Sequence, residues 1–177
     1  ITKSKGIEDA IMAFKNILTT AAKARLWIIG DGDRKYIDYL KKMARKLDVS
    51  DRITFWGFVS QEKKFELMRR AHLLLHTSVK EGWGLVVIEA ASQSTPSIVY
   101  DVAGLRDSVK DGKTGIVLKE NNAKEMANQS VLLLNNKKRY EDFQKNALIW
   151  AKSLTWDKAA KQSLKIIEMV GKNKKDL

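Results

Sequence analysis

The stretch TSVKEGWGLVVIEA, residues 77–90, carries the densest run of informative residues in the chain. It follows a short apolar segment at 72–76 and leads into a helical pattern over 85–92. A buried strand that passes directly to a helix is typical of a βα unit. Gly82 and Gly84 free the loop backbone from side-chain bulk, so its amides can face a ligand. Because the N-terminus of the next helix adds partial positive charge, the stretch predicts a site for an anion such as a diphosphate.

Two glutamates flank this loop. Glu89 lies on an otherwise apolar helical stretch, where a carboxylate is costly to bury unless it accepts hydrogen bonds. Ribose hydroxyls would be suitable donors to it. Glu81 precedes the glycines and could reach a sugar on the far side of a diphosphate. The alternative is that both are ordinary glutamates of a loop and a helix edge.

Outward from this stretch, the chain alternates between short apolar runs and helical stripes. Strands are predicted at 25–30, 53–57, 72–76, 97–100 and 115–118, with helices between and after them. Ser60, Asn122 and Thr155 are predicted helix caps. The last helix is expected to turn Ala160, Leu164 and Ile167 inward. The pattern favours an α/β fold, a Rossmann-like parallel sheet with helices on both faces, in which ligands bind beyond the carboxyl ends of the strands.

A second glycine loop, Gly30-Asp31-Gly32-Asp33, follows the first predicted strand. Three interpretations stay open for it. It could be a plain tight turn, a loop that approaches a phosphate or a base, or a metal site formed by the two aspartates.

Composition narrows the class of protein. The 177 residues include 33 Lys and Arg against 21 Asp and Glu, for a net charge of +12, with two His and no Cys. A disulfide scaffold, a thiolate zinc site and a cysteine nucleophile are therefore excluded. No apolar run approaches the ~20 residues that a membrane span needs, so a cytoplasmic protein is expected. The charge indicates either an anionic partner or a solvated lysine-rich surface.

Nucleic acid is not the expected partner. The aromatic side chains Trp27, Phe55, Trp56 and Trp150 fall in strand or helix core patterns, not on an exposed platform for stacking bases.

The segment Glu81-x7-Glu89 resembles the signature of the retaining glycosyltransferases of family 4 (group 1), whose GT-B architecture has two Rossmann-like domains. The likeness covers nearly the whole chain, through the segments 5–7, 30–32, 57–59, 94–96, 101–107, 111–115 and 155–157. It implies that residues 1–170 form one half of a GT-B enzyme, the C-terminal domain that binds the nucleotide-sugar donor. Residues 171–177 would be a basic flexible tail, and the N-terminal acceptor domain is absent from the chain. Because the final helix of such enzymes crosses back to that domain, its face, including Trp156, would be exposed or repacked.

The resemblance also implies roles for individual residues. Glu81 would bind hydroxyls of the transferred sugar and is the candidate catalytic residue, Glu89 would bind the ribose, and Lys5 would bind the diphosphate. The remaining donor-binding candidates are backbone or loop positions near the base, the diphosphate and the sugar: Gly30, Gly32, Phe58, Val59, Gly82, Trp83, Gly84 and Leu85.

The implied reaction is transfer of a hexosyl group from a UDP-, GDP- or ADP-sugar to an acceptor with retention, in polysaccharide or glycolipid biosynthesis. No metal or cofactor is expected, and the isolated domain is expected to be inactive alone. The expected partners are the donor and the missing acceptor domain, with an anionic membrane surface at the inner face as a further option. The main alternative is a non-catalytic nucleotide- or sugar-binding module of the same fold. Epimerases that share the GT-B architecture are a lesser one.

Overall fold

The computed structural model describes residues 1–173, in which strands and helices alternate as predicted. The strands are β1 (Leu26–Ile29), β2 (Ile53–Gly57), β3 (Leu74–His76), β4 (Ser97–Val99) and β5 (Gly115–Val117). The helices are α1 (Ile7–Leu18), α2 (Arg34–Lys46), α3 (Gln61–Arg70), α4 (Leu85–Ser92), α5 (Ala103–Ser108), α6 (Ala123–Asn135), α7 (Lys137–Ser153) and α8 (Trp156–Asn173). Helix α5 is not predicted from the sequence, because six residues are too few to show a helical period.

The three predicted helix caps are confirmed. Ser60 Oγ accepts a hydrogen bond from the Lys63 amide at 3.2 Å and begins α3. Asn122 Oδ1 accepts from the Glu125 amide at 2.8 Å and begins α6. Thr155 Oγ1 accepts from the Lys158 amide at 3.3 Å at the start of α8. Caps are predictable because the donor and acceptor lie within one helical turn of each other.

All strand pairs are parallel, as expected, but the described strands form two sheets instead of one. One sheet pairs β1 with β2, and the other has the order β3-β4-β5. The end of β3 is followed by a segment that bonds to the 3₁₀ turn Lys3–Lys5. The Val79 amide donates to Ser4 O at 3.0 Å, and Thr77 Oγ1 donates to Lys5 O at 3.0 Å. The N-terminal turn is thereby fixed beside the carboxyl end of β3.

Helix α1 packs into both halves of the core. Ile11 and Phe14 join the apolar cluster around β1 and α2, whereas Ala13 and Ile17 join the cluster around β4, β5 and α6. All four side chains are buried. Because the two clusters share this helix, α1 connects the two sheets.

Two tyrosines reinforce this connection through the first turn of α1. The buried Tyr100, after β4, donates its hydroxyl to Asp9 Oδ2 at 2.7 Å. Tyr36 of α2 donates to Glu8 Oε2. Burial, followed by the nearby carboxylate, raises the pKa of both phenols. Both therefore stay neutral donors at physiological pH.

The outer face of the β1–β2 sheet departs from the prediction that its aromatic residues lie in a core. Trp27 and Trp56 meet edge to face, with ring centroids 6.4 Å apart, and Trp56 is exposed. The Arg70 guanidinium lies 5.4 Å from the Trp27 ring centroid, and Lys63 Nζ lies 5.4 Å from that of Trp56. Helix α3 thus covers this face with cations held over aromatic rings, in place of an apolar stripe.

The last helix does not turn its apolar face inward, as its periodicity predicts, but exposes it, as the family resemblance implies. Ala160, Leu164 and Ile167 of α8 are all exposed, and Trp156 at its start is 91% exposed. Amphipathic periodicity predicts a helix but does not supply the surface that covers it. Helix α8 continues to Asn173, so it includes the start of the predicted tail 171–177, while residues 174–177 lie outside the described part of the chain. Within residues 1–173, no helix combines the length and apolarity needed to cross a membrane.

Candidate functional site

The loop between β3 and α4 has the geometry that its glycines predict. Gly84 caps α4 with a φ of +64°, in the left-handed region that favours glycine. A Cβ on Gly84 would also lie 2.7 Å from Leu105 Cδ2, so the position admits no larger residue without a shift. The Val87 amide donates to Gly84 O at 2.8 Å, while the amides of Leu85 and Val86 precede the first acceptor that a helix can offer, and Leu85 is exposed. The N-terminus of α4 is therefore available to an anion.

Gly104 at the start of α5 supports this loop from below. A Cβ on Gly104 would lie 2.5 Å from the carbonyl oxygens of both Glu81 and Gly82. The α5 backbone therefore approaches the loop as closely as glycine allows. No role is predicted for Gly104 from the sequence, because the loop that it contacts lies far from it along the chain.

The structure brings Lys5 and Glu81 together. Lys5 Nζ donates to Glu81 Oε2 at 2.7 Å, and the Glu81 side chain is 19% exposed while that of Lys5 is 45% exposed. The hydrogen bond from Lys5 is the main reason that the pKa of Glu81 is lowered, against a smaller opposing effect of burial. Glu81 is therefore an ionised acceptor at neutral pH, held by a cation that reaches solvent.

His76 completes this cluster, which the sequence analysis did not foresee. It is the last residue of β3 and is only 8% exposed, with Nε2 at 3.5 Å from Glu81 Oε2. Burial lowers its pKa, and the attraction of Glu81 acts in the opposite direction. The other histidine, His72, is exposed. No short-range spacing links His76 to Glu81, which lies beyond the end of the strand.

Glu89 is the second predicted carboxylate of the site. It lies one turn into α4, is partly buried, and accepts a hydrogen bond from Lys64 Nζ of α3 at 2.7 Å. The sequence argument that a carboxylate here needs a donor is consistent with this arrangement. The donor in the structure is Lys64, which the sequence analysis did not identify. A pair 25 residues apart on two different helices leaves no periodic signal.

The two aspartates of the loop Gly30-Asp31-Gly32-Asp33 bond to backbone amides. Asp31 Oδ1 accepts from the Gly32 amide at 2.8 Å, and Asp33 Oδ1 caps α2 by accepting from the Tyr36 amide at 2.8 Å. Both aspartates are thus engaged with nearby backbone. Among residues 1–173, no group of three or more His, Asp or Glu side chains is arranged to hold a metal ion.

Beside this loop runs a groove of about 380 Å³. It is lined by Gly30 and Asp31, by residues of α2 including Arg34, and by the end of β2 including Gly57. Phe58, directly after β2, is 84% exposed, and Val59 is half-buried. Of the predicted donor-binding residues, only Gly30 lines this groove.

The arrangement offers three kinds of group along one loop and helix. The amides at the start of α4 and the cation Lys5 suit phosphate oxygens, whereas Lys64 holds Glu89. The carboxylates Glu81 and Glu89 suit hydroxyl donors. Trp83 lies between them and keeps 38% of its surface exposed.

Comparison with known proteins gives the family. The profile of the group 1 glycosyl transferases matches residues 1–150. The chain is 32% identical over 188 residues to an uncharacterized glycosyltransferase of Methanocaldococcus jannaschii, covering 97% of this chain and 45% of that protein. It is 29% identical over 145 residues to the N-acetyl-alpha-D-glucosaminyl L-malate synthase of Bacillus anthracis, covering 82% and 37% of the two chains. The chain thus spans less than half the length of these relatives.

Solved structures agree on the fold. HepE of Anabaena in complex with UDP and glucose superposes with a TM-score of 0.79 at 22% identity, over 97% of this chain and 46% of that one. The sucrose-phosphate synthase of Thermosynechococcus elongatus gives a TM-score of 0.82 at 24% identity, over 97% and 44%. These likenesses confirm the predicted Rossmann-like α/β fold of GT-B glycosyltransferases. Since the family profile extends over most of its length, this chain belongs to the group 1 glycosyl transferases.

Proposed function

We propose that this chain is the C-terminal, donor-binding half of a retaining glycosyltransferase, and that it binds a nucleoside-diphosphate sugar along the Glu81–Glu89 segment. The observation that carries the proposal is the open N-terminus of α4, flanked by two carboxylates that are each held by a lysine at 2.7 Å. A diphosphate needs amides and cations, whereas the sugar and the ribose need carboxylates. The bound UDP and glucose of the HepE structure support a donor of this class.

In this proposal the diphosphate lies against the amides of Gly82, Trp83, Gly84 and Leu85 and recruits Lys5. The ammonium of Lys5 is 45% exposed, so it can turn from Glu81 toward a phosphate without unpacking the core. Positive groups at the leaving phosphate stabilise the charge that develops as the glycosidic bond breaks. Because Lys5 and the backbone amides stabilise the leaving phosphate, the proposed reaction needs no metal ion.

The two carboxylates bind the two sugars of the donor. Glu81 accepts hydrogen bonds from hydroxyls of the transferred hexosyl group and is the candidate catalytic residue. Glu89 accepts from the ribose, and Gly30, Gly32, Phe58 and Val59 lie on the side of the nucleobase. The nucleotide of the donor is UDP, GDP or ADP.

The acceptor half belongs to a further domain in this proposal, since the relatives are more than twice as long as their matched part. The isolated chain is then a binding unit without transferase activity. We place its action in the cytoplasm, at the inner face of a membrane when the acceptor is lipid-linked. The exposed cations Lys41, Lys42, Arg45 and Lys46 on α2 suit an anionic surface.

Isothermal titration of the 177-residue chain tests the donor-binding part. UDP, GDP and ADP are titrated with and without EDTA, followed by the glucosyl form of whichever binds. We expect one nucleotide to bind and EDTA to leave its affinity unchanged. Glu89→Gln should weaken binding, whereas Glu141→Gln, on the exposed face of α7, should not. Absence of binding by all three nucleotides at millimolar concentration would refute the proposal.

A further inference from the structure

His76 is held in one orientation at the end of β3. Its side chain is 8% exposed, so it cannot turn away to solvent. The Ser78 amide donates toward His76 Nδ1 at 3.4 Å, a long contact that nevertheless identifies Nδ1 as the acceptor nitrogen. A neutral imidazole that accepts at Nδ1 carries its proton on Nε2. The neighbour of Nε2 therefore decides which group can accept that proton in a hydrogen bond.

Nε2 faces Glu81. The distance from His76 Nε2 to Glu81 Oε2 is 3.5 Å, and Lys5 Nζ lies 2.7 Å from the same oxygen. At 3.5 Å the histidine contact is electrostatic and longer than an ordinary hydrogen bond. Both groups act on the same oxygen of the carboxylate, Oε2. The Gly82 backbone N–H adds to the stabilisation of the ionised carboxylate.

Lys5 and His76 respond differently when a nucleotide sugar binds. Lys5 is 45% exposed and is the residue that a diphosphate would recruit, under the function proposed above. His76 is buried and remains in place. Once Lys5 moves to a phosphate, the imidazole is the group that still orients Glu81.

We propose that His76 is a positioning residue of the donor site, whose Nε2–H holds the Glu81 carboxylate in the orientation that meets the hydroxyls of the transferred sugar. This inference rests on the proposed function and adds a residue that acts on the sugar part of the donor alone. It therefore separates the binding of the sugar from the binding of the nucleotide.

The test compares two ligands on four proteins. Isothermal titration measures the affinities of a nucleoside diphosphate and of its glucosyl form. The nucleotide is UDP, GDP or ADP, whichever the wild type binds. The proteins are the wild type, His76→Leu, His76→Gln and the matched control His72→Leu. A Gln amide reaches the position of Nε2, whereas Leu fills the space without a donor.

We expect His76→Leu to lower the affinity for the glucosyl nucleotide about threefold, less than the loss of an ordinary hydrogen bond to a charged group because the contact is 3.5 Å long, while the free diphosphate binds as before. His76→Gln should restore most of that affinity, and His72→Leu should change neither ligand. In a Glu81→Gln background, His76→Leu should have no further effect on the ratio of the two affinities. If His76→Leu does not fold, His76→Asn replaces it, because its shorter amide reaches Nδ1 but not Nε2.

Two results would overturn the role of His76 while leaving the proposed function standing. One is an unchanged ratio of the two affinities in the variant without the donor. The other is an equal loss for both ligands, which is what a purely structural histidine would give. If the wild type binds none of the nucleotides, the proposed function itself fails and the inference fails with it.

Discussion

Replacing Gly104 by Ala moves the loop that carries Glu81 without altering any polar group of the site. The new Cβ would lie 2.5 Å from the carbonyl oxygens of Glu81 and Gly82. Relaxed contacts between such atoms are about 3.5 Å, so the loop must shift by about 1 Å. Overpacking of this kind costs about 1–3 kcal/mol. For a domain of this size, that loss of stability lowers Tm by about 2–12 °C.

The same shift should affect binding. A misplacement of about 1 Å is enough to cost a positioned group most of its contribution, so the affinity for the glucosyl nucleotide should fall at least about tenfold. Thermal unfolding followed by circular dichroism gives the first quantity, and isothermal titration gives the second. Gly82→Ala is the control for stability, since its Cβ would meet open space. A Gly104→Ala protein with unchanged Tm and unchanged affinity would refute the idea that α5 fixes the loop.

Three further outcomes are expected. Because Lys64 holds Glu89, the proposed ribose ligand, Lys64→Gln should weaken the binding of a nucleoside diphosphate several-fold but not that of its 2′,3′-dideoxy form in isothermal titration. Lys63→Gln is the control, since Lys63 bonds Glu66 instead. Because Lys5 lowers the pKa of Glu81 below 4.5, the ionised carboxylate stabilises the fold above that pH. That contribution is lost as the pH falls from about 4.5 through the folded-state value, so Glu81→Gln should flatten the acid side of a Tm–pH curve. Tyr100→Phe should cost about 1 kcal/mol in urea unfolding through loss of the bond to Asp9, and the exposed Tyr39→Phe should cost nothing measurable.

The features that the sequence predicted correctly are local ones. The glycine at position 84 and the caps at Ser60 and Asn122 act within a few residues of their partners, so spacing along the chain is enough to find them. The alternation of strands and helices is equally local, because each apolar run has its own period. For the same reason, the two glycines between β3 and α4 could be placed at the passage from a strand to a helix.

The features that the sequence did not predict depend on distant neighbours. The pairing of Glu89 with Lys64 and the contact of Glu81 with His76 and Lys5 each join separate elements, and no periodicity encodes them. The burial of the α8 face and of the tryptophans of β1 and β2 also depends on distant neighbours, and for both the apolar pattern alone gave the wrong expectation. An apolar pattern indicates that burial of a surface would be favourable, but only the packing of the rest of the fold determines whether that surface is buried.

The position of α1 in both apolar clusters has a consequence for the dynamics of the domain. Base-side residues such as Gly30 follow β1, whereas Glu81 follows β3, so the two sides of the candidate site belong to different sheets. The sheets share the buried side chains of one helix, and the tyrosines Tyr36 and Tyr100 bond its first turn from opposite sides. A hinge between them would have to open both clusters at once. Amide exchange in β1 and in β4 should therefore report one cooperative opening, and a donor would meet a surface whose two sides are already fixed relative to each other.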